Sequence, residues 1–236
     1  MIFSLTSLSA HNLEQSVNSE DRSPDNVARD IYRHPYETLS FFGIKPDMTV
    51  VELNPGGGWY TEILANYIHY PGTLITAQGS YYFERFEKKM NSNPMYGRVE
   101  IVNLNSNLAE PNSVDAVITF RNLHNWLGAD MDSIFRSSFK ALKPGGSFGV
   151  VEHRAKPGTD FETMKTSGYV TEDHAIEVAL KHGFELVEKS EINANPKDTK
   201  DHAKGVWTLP PTYRLKDKDK EKYSAIGESD RMTLLF

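Results

Sequence analysis

The run Glu52-Leu53-Asn54-Pro55-Gly56-Gly57-Gly58 sets a carboxylate just ahead of three contiguous glycines. Residues without Cβ let the backbone turn tightly and let a ligand lie against it, and an acid at that point attracts a cationic ligand. Two further groups carry chemistry. Arg121-Asn122-Leu123-His124 follows the apolar run 114–120, and Glu152-His153-Arg154 follows the apolar run 148–151. Histidine exchanges protons near neutral pH; arginine holds anions or offsets developing negative charge. His69, His174, His182 and His202 show no mutual metal-ligand spacing, so no metal is expected. The absence of cysteine excludes disulfides, thiolate zinc sites and cysteine nucleophiles.

These groups need a scaffold that gathers them. Thr49–Leu53 is a short β-branched strand pattern, and Leu64, Tyr67 and Ile68 recur at helical spacing after the glycines. Strand, glycine turn and helix open a nucleotide-binding α/β sheet. Further strands are expected at 73–77, 99–102, 114–120, 148–151, 184–188 and 231–236, with helices at 83–90, 131–142 and 171–182. In open α/β sheets ligands bind beyond the carboxyl ends of the strands. That rule brings 121–126 and 152–154 to one edge.

The contiguous glycines do not fit the Gly-x-Gly-x-x-Gly spacing of dinucleotide folds. Together with Leu142-Lys143-Pro144-Gly145-Gly146 before a later strand, about ninety residues on, they resemble class I S-adenosylmethionine-dependent methyltransferases. The chain also looks like a narrower group of bacterial methyltransferases, themselves predicted from sequence, whose substrate is not established. The shared residues are Arg33-His34-Pro35, Phe41-Phe42-Gly43, Pro55 through Glu62, Glu152-His153-Arg154 with Pro157-Gly158, and Ile226 through Met232.

The resemblance implies a Rossmann-like α/β sheet, mostly parallel with an antiparallel C-terminal strand and helices on both faces. It also implies S-adenosylmethionine as cofactor. Glu52 would attract its ammonium, directly or through a water, and Asn54 and Gly56, Gly57 and Gly58 would lie beneath it. Gln78 stands where the family usually carries an acid for the ribose hydroxyls, with Glu84 as a substitute if its helix turns inward. Asn103 or Asn105 would meet the adenine amino group. Tyr60, with Trp59, would stack on cofactor or substrate, and Arg121 adds a cation at the same edge. For catalysis, His124 or His153 is the expected base and Glu152 orients one of them. Arg154 or Arg121 would hold an anionic substrate. The expected function is methyl transfer to O, N or C of a small molecule; the alternative is a non-catalytic sensor that binds the cofactor or S-adenosylhomocysteine. A nicotinamide oxidoreductase is disfavoured by the glycine spacing and the terminal strand.

At 236 residues and 39 % apolar content, one large α/β domain is expected over 23–236. It would begin with helices at 23–43 and carry a polar excursion at 193–227. Residues 1–22 read as a disordered leader: mildly apolar at the start, but without a basic n-region. The net charge of −6 argues against a nucleic-acid partner. No window reaches a membrane span. A cytoplasmic location is expected, with export by a truncated signal segment still open, as is association into a homodimer.

Overall fold

The computed structural model describes residues 12–236. Its frame is a seven-stranded sheet in the order β3-β2-β1-β4-β5-β7-β6. The strands are β1 (Thr49–Leu53), β2 (Thr73–Gln78), β3 (Val99–Asn103), β4 (Val114–Phe120), β5 (Leu142–His153), β6 (Glu188–Ser190) and β7 (Arg231–Leu235). The β3-β2-β1-β4-β5 ladder is parallel, and β7 runs antiparallel to both β5 and β6. The helices are α1 (Leu13–Val17), α2 (Pro24–Val27), α3 (Asp30–Arg33), α4 (Pro35–Phe41), α5 (Thr61–Tyr67), α6 (Phe83–Met90), α7 (Leu123–Trp126), α8 (Ala129–Ala141), α9 (Phe161–Ser167), α10 (Glu172–Lys181) and α11 (Lys220–Ile226).

The sheet is covered on both sides, and its central strands are buried at nearly every position. Period-two alternation divides those residues between two cores. Val51 and Leu53 join Met131, Phe135 and Phe148 on one face, while Val50, Ala116 and Ile118 join Ile63 and Leu64 on the other. Strand, glycine turn and helix are where the sequence puts them.

Three expectations need correction. Residues 12–22 are not a disordered leader; residues 1–11 lie outside the described part. Asn12 and Gln15 form a reciprocal capping box at the start of α1, and Leu13 and Val17 are buried in the second core. Burying each of those side chains is worth about 1.5–3 kcal/mol, enough to hold a short helix down. Arg22 then locks the segment, donating to the Val17 carbonyl at 2.6 Å and to both oxygens of Asp30.

The expected helices at 23–43 are three short ones, and Val27 and Ile31 are exposed. His34, at φ 40°, breaks the path ahead of Pro35. The strand expected at 184–188 is instead Glu188–Ser190. Phe184 is drawn into the core against Phe148, at 5.0 Å between ring centroids, so 184–187 only leads into the ladder.

The excursion at 193–227 folds back over the carboxyl edge of the sheet. Asn193 donates to Thr38 and Thr233, and the buried Tyr169 hydroxyl meets both oxygens of Asp198. The N-terminal helices reach the same edge, because Ser23 hydrogen-bonds Glu62 of α5 through its backbone and hydroxyl.

Candidate active site

The glycine turn after β1 is shaped by left-handed backbone at Asn54 (φ 47°), Gly56 (φ 61°) and Gly58 (φ 76°). A Cβ built on Gly56 or Gly57 would meet nothing within 4 Å, so both face open space. Lys89 closes the other side of the turn by donating to the Gly57 carbonyl at 2.7 Å. This is a backbone cradle that a ligand can lie against.

Gln78 is not free to bind a ribose. Fully buried, it accepts from the Gly56 N–H at 3.1 Å and donates to Asn54 Oδ1 at 3.0 Å. It therefore shapes the cradle rather than lining it. Asn54 in turn donates to Asn122 at 2.9 Å, which ties the cradle to the end of β4. Tyr60 is not a stacking platform either: it is 4 % exposed and its ring lies flat on Phe120 at 3.5 Å. Trp59 is held between the guanidiniums of Arg22 and Arg33, 5.1 and 4.6 Å from its ring centroid.

Glu52 is sealed at 2 % exposure and accepts from Thr61 Oγ1 at 2.6 Å, pinning β1 to α5. Burial pushes its carboxyl from 4.5 up to about 7, against the Thr61 hydrogen bond. The folded state thus holds this proton more tightly than the unfolded chain does. Its share of stability is complete below pH 4.5 and is lost as pH rises through about 7. Glu52→Gln keeps an acceptor for Thr61 and never ionises. It is expected to be neutral at pH 4.5 and to stabilise by on the order of 3 kcal/mol at pH 8. Urea denaturation at the two pH values checks this, and a difference independent of pH would refute the buried ionisation.

At the ends of β2 and β3, Asn103 accepts from the Asn105 N–H at 2.9 Å and donates to Ser80 at 3.4 Å. The sequence reading missed the neighbouring Tyr81 and Tyr82. They are exposed (89 % and 45 %) and packed edge to face at 4.6 Å beside the open end of β2. Two exposed aromatics after a strand end were the available signal.

Beyond β4 and β5, three groups converge. His124 Nδ1 lies 3.0 Å from Glu152 Oε1, and Glu152 also accepts from the backbone N–H of His124 and of His153. A carboxylate only accepts, so against it Nδ1 of His124 is the donor, and in the neutral imidazole that tautomer leaves the lone pair on Nε2. The His153 ring sits 5.3 Å from that of His124, with Nδ1 on the Ser229 hydroxyl. Burial, then His124 and the arginines 231, 121 and 33, hold His153 well below its ordinary value, so it stays neutral. Trp207 of the folded-back excursion covers His124, its ring 6.0 Å away.

The expectation of no metal rested on other histidines. Here His124, Glu152 and His153 offer ligand atoms all within 4.8 Å of one another. The nearby arginines set a positive field against a cation there.

Arg154 leaves the catalytic set. It donates to both oxygens of Asp230, to both of Glu191 and to Glu172, which engages all five of its N–H groups. Arg121 enters a different cluster. Arg29, Arg33 and Arg231 surround the buried carboxylate of Glu228, and Arg121, with left-handed backbone at φ 60°, adds its charge to theirs. Burial would raise Glu228, yet Arg231, Arg33 and Arg29 hold it down at about 2. Burial, then Arg231, lowers Arg121 to about 10.

Known proteins agree with this frame. Residues 51–150 match the family model described as a methyltransferase domain. A SAM-dependent methyltransferase from Aquifex aeolicus superposes with a TM-score of 0.60 at 16 % identity, over 78 % of this chain and 94 % of that one. Geranyl diphosphate C-methyltransferase from Streptomyces coelicolor A3(2), with Mg2+, geranyl diphosphate and S-adenosyl-L-homocysteine bound, gives 0.63 at 12 % identity, over 96 % and 87 %. The mitomycin 7-O-methyltransferase MmcR gives 0.54 at 13 %, over 96 % of this chain and 61 % of that one. None of the curated proteins is a significant sequence match.

Residues 51–150 thus match a methyltransferase domain, and the sheet has the fold of S-adenosylmethionine-dependent methyltransferases. Within the matched stretch, the residues around Gly56 and Gly57 leave open space of the kind a cofactor of such a domain would need. Among the described residues no helix is long and apolar enough to cross a membrane.

Proposed function

We propose that the chain transfers the cofactor's methyl group to O, N or C of a small molecule, with His124 as the proton acceptor and Glu152 as the residue that orients it. The observation that carries this reading is the His124–Glu152 contact at 3.0 Å, on the strand edge that also holds the cradle. Bound S-adenosylmethionine supplies an electrophilic methyl group on a sulfonium. What remains for the protein is to align a nucleophile and keep water out. Trp207 serves the second need by covering His124, and Glu152 serves the first by fixing which imidazole nitrogen accepts the proton. Asn54, Gly56 and Gly57 would hold the cofactor. Asn103, Asn105 and the Tyr81–Tyr82 pair would meet its adenine, and His153 is a neutral neighbour of the base.

The test separates cofactor binding from turnover. Gly57→Val puts a side chain into open space at a backbone position that tolerates one. It is expected to weaken S-adenosylhomocysteine binding at least a hundredfold in calorimetry, with a melting temperature close to that of the wild type. Methyl transfer is read as S-adenosylhomocysteine release against a panel of small acceptors. Unimpaired binding by the Gly57→Val protein would remove the cradle assignment. A wild type that binds cofactor but methylates no acceptor would favour the sensor reading.

A further inference from the structure

Among the described residues, Arg154 has every donor paired and Arg22 lacks a partner only at Nε. Arg22 takes both oxygens of Asp30 and a carbonyl, and Arg154 takes three carboxylates. Arg33 is far less satisfied than either. It is 2 % exposed, its Nε is 3.5 Å from Glu228, and among the described residues none of its three guanidinium nitrogens has a hydrogen-bond partner. The Trp59 ring above it satisfies charge but not the in-plane N–H groups. Nη2 of Arg29 and Nε of Arg231 are likewise buried and unpaired.

Three guanidiniums, those of Arg29, Arg33 and Arg231, share the one carboxylate of Glu228, and Arg121 adds a fourth positive charge nearby. A buried cluster with three uncompensated positive charges and unpaired donors costs the fold unless an anion completes it. Its position is telling. Arg121 directly precedes Asn122, which is bonded to the cradle, and Arg231 pairs in register with His153 across β5 and β7. Arg29 and Arg33 come down from the N-terminal helices.

We infer that this cluster binds the anionic group of the methyl acceptor, and that this group is a phosphate or diphosphate ester. The inference rests on the methyltransferase reading for the word acceptor. A carboxylate would offset one of the three surplus charges, whereas a phosphate offsets about two and a diphosphate about three. Guanidinium forks suit such oxyanions bidentately.

The experiment titrates the full chain, with and without saturating S-adenosylhomocysteine, against pyrophosphate, inorganic phosphate and acetate by calorimetry. Pyrophosphate is expected to bind most tightly, phosphate less so and acetate at least tenfold more weakly than phosphate. Arg33→Met and Arg121→Met should each weaken pyrophosphate at least tenfold and leave S-adenosylhomocysteine affinity unchanged. Relieving the like-charge crowding should also keep the melting temperature of Arg33→Met in anion-free buffer at or above the wild-type value. A merely structural arginine would lower it.

Absence of pyrophosphate and phosphate binding up to 10 mM, or affinity unchanged in both variants, would overturn the site. Acetate binding as tightly as pyrophosphate would overturn the phosphate assignment. Loss of S-adenosylhomocysteine binding alone, with pyrophosphate still bound, would instead remove the methyltransferase reading.

Discussion

His124→Ala is expected to bind S-adenosylhomocysteine as the wild type does and to turn over roughly 10²–10⁴-fold more slowly, the usual contribution of a positioned base. The imidazole is 6.0 Å from Trp207 and bonded to Glu152, while the cradle is built from Asn54, Gln78 and backbone glycines. Removing the ring therefore leaves the cofactor site intact. Glu152→Gln should also lose turnover, because an amide no longer dictates that Nδ1 carries the proton. His153→Ala should lose less, since that ring is bonded to Ser229 and not to the carboxylate side chain. Calorimetry and single-turnover assays of the three variants measure this ordering. Full turnover in His124→Ala would end the base assignment, and a larger loss in His153→Ala would transfer it.

Arg154→Met is expected to destabilise by roughly 2–4 kcal/mol, while folded protein keeps turnover within a few-fold of wild type. Arg154 was a candidate for holding substrate, but its five donors are engaged by Asp230, Glu191 and Glu172. Asp230 is buried, so deleting the guanidinium strands a carboxylate that Lys200, at 2.6 Å, compensates only in part. Glu191, which is largely exposed, contributes little to the loss. Denaturant melts of the variant, and activity per folded molecule at low temperature, separate the two roles. A full loss of activity at unchanged stability would return Arg154 to the substrate site.

The contrast between these two residues shows where sequence reasoning is strong. His124 and Arg154 both stand just beyond an apolar strand run, and both are cations or bases at the right edge. Only their partners distinguish them, and those come from distant chain: Glu152 lies 28 residues from His124, and Asp230 lies 76 from Arg154. Gln78 and Tyr60 were misread for the same reason. Their side chains are taken up by Gly56, Asn54 and Phe120, which no local pattern reveals. The α1 helix was missed because its stability comes from burying Leu13 and Val17 against α5, not from its own short sequence.

The sequence by itself determined the strand–glycine–helix unit, the positions of the central strands along the chain and the edge where chemistry gathers. The first two follow from periodicity and backbone permissiveness, which act locally, and the third from the general rule for open α/β sheets. Only the tertiary structure decided which polar side chains are consumed by the fold and which are left open. It brought Arg29 and Arg33 from one end of the chain onto Glu228 and Arg231 from the other. Whether a buried donor is paired depends on groups about two hundred residues away, and such pairings leave no periodic trace along the chain.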